Sequence, residues 1–433
     1  MCEVVSVRQY LLAILFSVVV STQFYVMNNV TLKIYDDLEM PVMRRAIRVM
    51  NKYHNSSDVS FSSIHQLTSP SRRNMILKID YSVPSLSIES RSIIFKRSMK
   101  THSSVDQSDR FGRDWAGLVF FNELPSMYHR VPEFYGASRT YNFILMEVLG
   151  SPPISLETYY QLGSSVHNQQ VAVEMTNKFM TILGTMHAAS HQKQDRWHHI
   201  LTAISKHVEP WQQRQLWHLA TVRKAVNYTL GQLNAAETPE LREEIAGVMT
   251  RSYAPGPFSA VAHSDLCPDN VLFRDSVAHM FDFEWAENRS AFIDAVALRI
   301  GMPGCYYSGV APTKVVDEAE VLYRRELAKT IPEANDDVLY NAAYMDGCAY
   351  WVLRVFEIIR PILRGDGESS SVKYGIEKSM KIVIMRLDLF LEINKRHNLL
   401  PHINNMVVMT RQKLVEMWAE KAVALSVYSV FAL

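Results

Sequence analysis

The 433-residue sequence contains few cysteines, and their placement excludes two classes of site. The four are Cys2, Cys267, Cys305 and Cys348. No two of them have the close spacing of a zinc-binding CxxC pair, and so few cysteines over this length do not make a disulfide-stapled scaffold. We therefore expect reduced thiols.

The sequence also lacks an excess of charge of either sign. Its 45 lysines and arginines stand against 44 aspartates and glutamates, which gives a formal net charge of +1. A protein whose main partner is nucleic acid carries a basic excess that displaces counterions from phosphates. We therefore expect no nucleic-acid partner. The 48% of hydrophobic residues predicts a folded globular protein.

The apolar runs near the two ends of the chain are too short to cross a bilayer as helices. Residues 10–20 are apolar except for Ser17, whereas a membrane-spanning helix needs about 20 residues. The run resembles the hydrophobic part of a signal peptide or a short anchor, and a first core element is the alternative. We expect a cytoplasmic protein; the secretory pathway or a membrane anchor is the alternative, and any membrane association would run through residues 10–20. The apolar C-terminus is expected to dock on the protein itself.

Periodicity divides the chain into a small sheet and a larger helical part. Residues 74–81 and 92–97 are short, β-branched and partly alternating, which predicts an antiparallel sheet. The Gly-Ser-Pro-Pro segment at 150–153 marks a boundary, and apolar residues recur beyond it at helical spacing. We expect a leader or extension at 1–38, an N-terminal lobe at 39–149 and a helical C-terminal lobe at 150–433. Helices are predicted at 41–53, 113–124, 171–187, 210–233, 239–251, 313–329, 336–360 and 372–397.

The segment from 263 to 294 interrupts the helical pattern and carries the chemistry. Asp265, Asn270 and Asp282 are separated by two short apolar stretches and a polar turn, which predict a tight hairpin. A hairpin would place Asn270 beside Asp282 at its open end, with Asp265 arriving from the preceding loop. Amide and carboxylate oxygens suit Mg²⁺, and phosphoryl transfer needs charge neutralisation and a held hydroxyl. Asp265 is then the candidate base.

A single lysine in the predicted sheet is the candidate partner for phosphate. Lys96 lies within an otherwise apolar stretch, Ser-Ile-Ile-Phe-Lys-Arg. A buried ammonium is costly unless an anion or a carboxylate pairs with it. The phosphates of ATP would be such a partner.

These segments together resemble a known family. His-Ser-Asp-Leu-Cys-Pro-Asp-Asn at 263–270, followed by Phe-Asp-Phe-Glu at 281–284, resembles the paired catalytic and metal motifs of the aminoglycoside phosphotransferase and choline kinase group of small-molecule kinases. The stretches around Lys96, 113–124, 143–150 and 182–190 resemble that family's ATP-binding lysine strand, acidic helix, hinge and the helix before the catalytic loop.

The resemblance implies an α+β, two-lobed protein-kinase-like fold with a small antiparallel N-lobe and a mainly helical C-lobe. It implies that ATP and Mg²⁺ are used to phosphorylate a hydroxyl of a small molecule. Asp265 would act as catalytic base. The other roles it implies are ATP binding by Lys96, pairing of Lys96 with Asp114, Mg²⁺ binding by Asn270 and Asp282, and adenine contacts from the backbone of Glu147 and Val148.

Several alternatives stay open at this level. The chain is alternatively a catalytically inactive, kinase-like nucleotide-binding or scaffold protein. Asp114 stands where the family usually has Glu, and Glu123 would replace it if the helix register differed. Ser264 replaces a common glycine, which raises the question of a positive φ. The remaining open assignments are a second metal or solvent for Glu284, a cap or loop anchor for Asp294, zinc or simple packing for His187 and His191, loop support for His263, and an acceptor pocket or core for Trp285, Tyr306 and Tyr307.

Overall fold

A computed structural model describes residues 40–69, 72–99, 110–127, 129–150, 152–205, 208–305, 308–372 and 374–432. The apolar run at 10–20, Cys2, Tyr306 and Tyr307 lie outside the described residues. Within those ranges, no helix combines the length and the apolar character that crossing a membrane would require.

The N-terminal lobe is a five-stranded antiparallel sheet with one helix on it. Alternating apolar residues make the strands, and their buried faces form a separate small core. The strand order is β1-β2-β3-β5-β4. Helix α1 packs its apolar face on this sheet, with Val42, Ala46 and Met50 fully buried. The elements are α1 (Met40–His54), β1 (Ser60–Gln66), β2 (Asn74–Val83), β3 (Ile88–Ser98), α2 (Arg110–Asn122), β4 (Phe134–Ser138) and β5 (Phe143–Glu147).

The C-terminal lobe is mainly helical and has its own larger core. Two small sheets interrupt the helices, one of β6-β8-β9 and one of β7-β10. Its helices are α3 (Leu156–Tyr160), α4 (Val166–Ser190), α5 (Gln194–Ile204), α6 (Trp211–Gln232), α7 (Pro239–Tyr253), α8 (Phe292–Ala295), α9 (Thr313–Ala328), α10 (Asp337–Leu363), α11 (Ile376–His397) and α12 (Pro401–Trp418). Its strands are β6 (Ile154–Ser155), β7 (Ser259–Ala262), β8 (Val271–Arg274), β9 (Val277–Met280) and β10 (Glu287–Ser290).

The expected α+β class and the two-lobed arrangement are confirmed, whereas the lobe limits 39–149 and 150–433 stay predictions. Helix α2 joins the lobes, because Phe120 and Phe121 lie in the larger core although the helix precedes β4 and β5. The C-terminus docks as expected: Val430 and Phe431 are buried, and the Tyr428 ring stacks on Tyr160 with centroids 4.4 Å apart.

Sequence periodicity missed β4, β10, α5 and α12. In β4, Gly136 has a φ of +143° at an irregularity in the pairing with β5, and a Cβ there would overlap Val49 of α1. The close approach of the helix therefore requires glycine at this position and breaks the alternation that marks a strand. Strand β10 has the polar sequence Glu-Asn-Arg-Ser and is defined by its pairing with β7.

Candidate active site

Lys96 lies at the junction of the two lobes. It is on β3, opposite Ile144 of β5, and is 6% exposed. Its ammonium Nζ lies 2.7 Å from Oδ2 of Asp114 on α2 and 2.6 Å from Oδ1 of Asp282 after β9. A third carboxylate, Glu284, has Oε1 at 3.2 Å. Residues 186 positions apart in sequence thus meet at one ammonium group.

Burial and charge act in opposite directions on this cluster. Burial alone would lower the pKa of Lys96, but the carboxylates, Asp114 foremost, raise that pKa well above its ordinary value. Burial raises the pKa of Asp114 to about 6, against the opposing effect of Lys96 and with help from Asp282. Lys96 and Arg73 outweigh burial at Glu284 and lower its pKa to about 2. The pKa of Asp114 therefore lies above that of Glu284.

Glu284 connects the 281–284 segment, which follows β9, to the other lobe. It accepts hydrogen bonds from the Arg73 guanidinium and, at 2.6 Å, from Nδ2 of Asn74. Asn74 begins β2, and Arg73 immediately precedes it. Of the two open assignments for Glu284, exposure to solvent is wrong, because the residue is only 5% exposed. No local pattern predicts these contacts, because they join residues more than 200 positions apart.

The expected hairpin forms between β8 and β9. Arg274 pairs with Val277, and the two residues between them, Asp275 and Ser276, have φ of 51° and 60°. Two positive φ values are the signature of the type I′ turn that closes two-residue hairpins. At the open end, the carbonyl of Asn270 accepts the N–H of Phe281 at 3.4 Å, so Asn270 lies beside the strand end that carries Asp282.

Asn270 also fixes the loop of residues 263–270. Its Nδ2 donates to the backbone carbonyl of Asp265 at 2.9 Å, which turns its amide oxygen away from that carbonyl. Asn270 is 8% exposed, whereas Asp265 is half-buried. The amide of Asn270 and the carboxylate of Asp265 therefore belong to one hydrogen-bonded turn.

Asp294 anchors the same loop from below. Its carboxylate accepts the backbone N–H of His263 at 2.5 Å, the N–H of Ser264 at 2.9 Å, and Nε2 of His187 at 3.3 Å. Burial would raise the pKa of Asp294, but the hydrogen bond from His187 and the other donors hold it below its ordinary value. This geometry matches the expectation of a loop anchor. It also explains Ser264, whose φ of +63° is the left-handed conformation that favours glycine.

The histidines near the loop are structural. Nε2 of His263 contacts the carbonyl of Phe281 at 2.8 Å. This contact joins the 263–270 loop to the 281–284 segment, as expected for loop support. His187 binds Tyr323 and Asp294, and His191 faces the carbonyl of Ser259. In the part of the chain that is described, neither His187 nor His191 belongs to a cluster of metal-ligand side chains.

Two cysteines of this region are joined, so the expectation of reduced thiols is wrong for them. Cys267, two residues after Asp265, forms a disulfide with Cys305, and their Cα atoms are 5.3 Å apart. Cys348 is free and buried in α10. The disulfide closes over 38 residues of sequence, a separation from which pairing cannot be deduced.

The hinge residues and Glu123 occupy distinct places. Glu147 ends β5, and its backbone N–H donates to the carbonyl of Glu133 at 2.9 Å, while its side chain pairs with Arg274. That N–H is therefore already occupied, which leaves its carbonyl and Val148 for an adenine contact. Glu123 does not replace Asp114, since it pairs with Arg196.

The ring of Trp285 contacts a cation. The Arg110 guanidinium lies 4.1 Å from the centroid of the Trp285 ring. This cation–π contact joins the residue that follows the 281–284 segment to the start of α2.

The site offers oxygen ligands for a divalent ion. Among the described residues, Asp114, Asp282 and Glu284 place one carboxylate oxygen each within 4.8 Å of one another. Hard cations such as Mg²⁺ prefer carboxylate and amide oxygens. The side chain of Asp282 is 29% exposed and so is open to an incoming ion, whereas those of Asp114 and Glu284 are nearly buried. These oxygens fit Mg²⁺, and Asp282 is the member of the cluster that the sequence also predicts, with Asn270, as a ligand.

No family model matches the chain, and no curated protein matches it in sequence. Solved structures similar to it include a choline kinase from Cryptosporidium parvum, at 12% identity and a TM-score of 0.44 over 86% of this chain and 99% of that one. An ethanolamine kinase from Plasmodium vivax is 13% identical, with a TM-score of 0.41 over 85% and 90% of the two chains. The GDP complex of aminoglycoside 2'-phosphotransferase-IIIa is 13% identical, with a TM-score of 0.41 over 82% and 99%.

Proposed function

We propose that this protein is an ATP-dependent phosphotransferase that moves the γ-phosphoryl group of ATP to a hydroxyl of a small molecule. The observation that carries the proposal is the meeting of Lys96 with Asp282 at 2.6 Å, where the sheet of one lobe reaches the hairpin of the other. A nucleotide triphosphate with its divalent ion carries both signs of charge. A lysine and a carboxylate held together at the junction of two lobes suit both parts of it.

Each side chain has a role that its position supports. Lys96 binds phosphate oxygens, and Asp114 holds the Lys96 ammonium in place. Asn270 and Asp282 hold Mg²⁺, which neutralises charge on the transferred phosphoryl group. Asp265 orients the acceptor hydroxyl and takes its proton, since it is half-buried and its backbone is fixed by Asn270. The backbone of Glu147 and Val148 meets the adenine.

The test is phosphate transfer by the full chain. Purified protein is incubated with Mg·ATP and a panel of amino alcohols, sugars and amino sugars, and ADP release and the phosphorylated product are measured. Asp265→Asn should abolish product formation. Asp269→Asn, an exposed acid on the same loop, is the matched control and should keep it. Product formation by the Asp265→Asn variant at the wild-type rate would contradict the assigned base.

The alternative is a kinase-like protein that binds nucleotide without transfer. Thermal stabilisation by Mg·ATP with no product over the whole panel would favour it. A fall in that stabilisation in Lys96→Met, but not in the control Lys78→Met on the neighbouring strand β2, would place the nucleotide at the same site in either case.

The disulfide bears on location. Disulfides persist in oxidising compartments and are rare in the cytosol. Cys267–Cys305 therefore favours the secretory alternative over the expected cytoplasmic location. N-terminal sequencing of the mature protein from its natural source distinguishes the two: a new N-terminus shortly after residue 20 supports the secretory pathway, and an uncleaved chain found in the cytosol supports the other.

A further inference from the structure

We infer that the Cys267–Cys305 disulfide positions Asp265 for phosphoryl transfer, so that the rate of transfer depends on the oxidation state of this pair. The inference rests on the proposed function. It assigns to the two cysteines a role that is neither catalytic nor confined to stability.

The first half of the link is the catalytic loop itself. The backbone N–H of Cys267 donates to the carbonyl of Asp265 at 2.9 Å, and Nδ2 of Asn270 donates to the same carbonyl at 2.9 Å. Residues 265–270 thus form one tight turn in which the Asp265 carbonyl accepts two hydrogen bonds. A displacement of Cys267 is transmitted directly to the backbone that carries the Asp265 side chain.

The second half is the segment that contains Cys305. Gly304 has a φ of +90°, and a Cβ placed on it would lie 3.6 Å from Oδ1 of Asp265, which is ordinary van der Waals contact. The hydroxyl of Tyr374 donates to the carbonyl of Gly304 at 2.6 Å. Ser308 donates to the carbonyls of Met302 at 3.1 Å and Cys305 at 2.8 Å. Hydrogen bonds from Tyr374 and Ser308 therefore hold the backbone on either side of Cys305, and Gly304 lies beside the Asp265 carboxylate.

The disulfide joins a half-buried cysteine to a buried one. Cys305 is 2% exposed and packed in the large core, whereas Cys267 is half-buried. With the bond closed, the distance between the loop that carries Asp265 and the backbone at Gly304 is set by covalent geometry. With the bond open, no covalent link sets this distance.

The chemistry of opening is ordinary thiol–disulfide exchange. A dithiol reductant attacks the more exposed sulfur, that of Cys267, and Cys305 leaves as a thiolate. The second thiol of the reductant then attacks the mixed disulfide and releases Cys267. The protein gains two electrons and two protons and ends with two thiols, and the reductant closes into its own disulfide.

The expected kinetic signature separates positioning from folding. Misplacement of a reacting group by about 1 Å costs up to roughly a hundred-fold in rate, so opening the bond should lower kcat by at least about ten-fold. The KM for ATP should change by less than about two-fold, because Lys96 and Asp114 are fixed by β3 and α2, away from the disulfide.

The experiment compares the full wild-type chain before and after treatment with dithiothreitol, together with Cys267→Ser/Cys305→Ser and the control Cys348→Ala. Alkylation and mass spectrometry count the protected cysteines. We expect wild type and Cys348→Ala to lose kcat on reduction, and the double variant to start low and to ignore the reductant. If kcat is unchanged by reduction while the melting temperature falls, the disulfide is merely stabilising and the inference is wrong. Alkylation of both cysteines in the untreated folded protein would also overturn it.

A readout without turnover keeps the inference testable if the proposed function fails. Hydrogen exchange of the peptide covering residues 263–270 should speed up at least about ten-fold on reduction, whereas peptides of β3 should not change. Absence of transfer in every sample refutes the proposed function alone. Unchanged exchange at 263–270 refutes the positioning role, whatever the activity.

Discussion

The site contains one buried carboxylate that stands alone, Asp294, and one cluster of three carboxylates, and the two are satisfied in opposite ways. Asp294 is alone among donors: two backbone N–H groups and an imidazole surround it, and they hold its pKa below the ordinary value. Asp114, Asp282 and Glu284 crowd around the single ammonium of Lys96, with Arg73 on the far side of Glu284. Burial then raises the pKa of Asp114 to about 6. A carboxylate with enough donors fixes a loop, whereas carboxylates that outnumber their cations favour binding another cation.

The largest expected effect falls on Asp265, the proposed base. Asp265→Asn keeps the size of the side chain and removes its ability to take a proton, so kcat should fall by about 10²- to 10⁴-fold. The melting temperature should stay near that of wild type, because Asp265 is half-buried. Steady-state kinetics on the acceptor found in the panel checks the rate, with Asp269→Asn as control. A rate within a few-fold of wild type would contradict this role.

Removal of the shared ammonium sharpens the comparison next. Lys96→Met leaves three carboxylates without their shared ammonium, and the loss of one partner from a buried ionic group costs roughly 3–5 kcal/mol of unfolding free energy. Mg²⁺ without nucleotide should then raise the melting temperature of the variant more than that of wild type, since the ion replaces the missing charge. Equal Mg²⁺ responses in Lys96→Met, wild type and the control Lys78→Met would show that the cluster has no need of a cation.

The stability that Asp294 contributes should depend on pH. Because the folded pKa of Asp294 is lowered, its stabilisation is present above its unfolded pKa and is lost as pH falls through the folded value. Asp294→Asn turns a donor toward the N–H groups of His263 or Ser264 and should cost roughly 1.5–3 kcal/mol at neutral pH. Denaturant unfolding at several pH values checks both points. The cost should shrink in acid, and exposed Asp195→Asn should show neither effect.

The smallest expected effect tests the backbone of the catalytic loop. Ser264→Gly removes a serine held at positive φ, where strain is of order 1 kcal/mol, and also removes a buried hydroxyl that has no hydrogen-bond partner. We expect a gain of up to about 1 kcal/mol in the free energy of unfolding. Ser98→Gly, on the regular strand β3, should lose about 0.5–1 kcal/mol by the entropy of glycine. Losses of equal size in both variants would mean that position 264 is not strained.

The part of the site that lies close in sequence was predictable, and the part made by distant contacts was not. The hairpin of β8 and β9 followed from two apolar stretches and a polar turn, and the meeting of Lys96 with Asp114 from the resemblance of their flanking residues. Arg73 with Glu284 and Cys267 with Cys305 join residues that no periodicity relates. Gly304 is adjacent to Asp265 only because the segment after α8 folds back over the loop. Strands β4 and β10 were not predicted for the same reason: each is defined by the strand it pairs with and not by an alternating sequence.

The most direct test of the central claim is the affinity of a nonhydrolysable ATP analogue with and without Mg²⁺, measured by calorimetry on wild type and Asp282→Asn. If Lys96 and Asp282 hold one nucleotide and its ion, Mg²⁺ should tighten binding to wild type by at least about ten-fold, or 1.4 kcal/mol. It should have little effect on Asp282→Asn. Affinity that does not depend on Mg²⁺ in wild type, or that responds equally in the two proteins, would contradict the account.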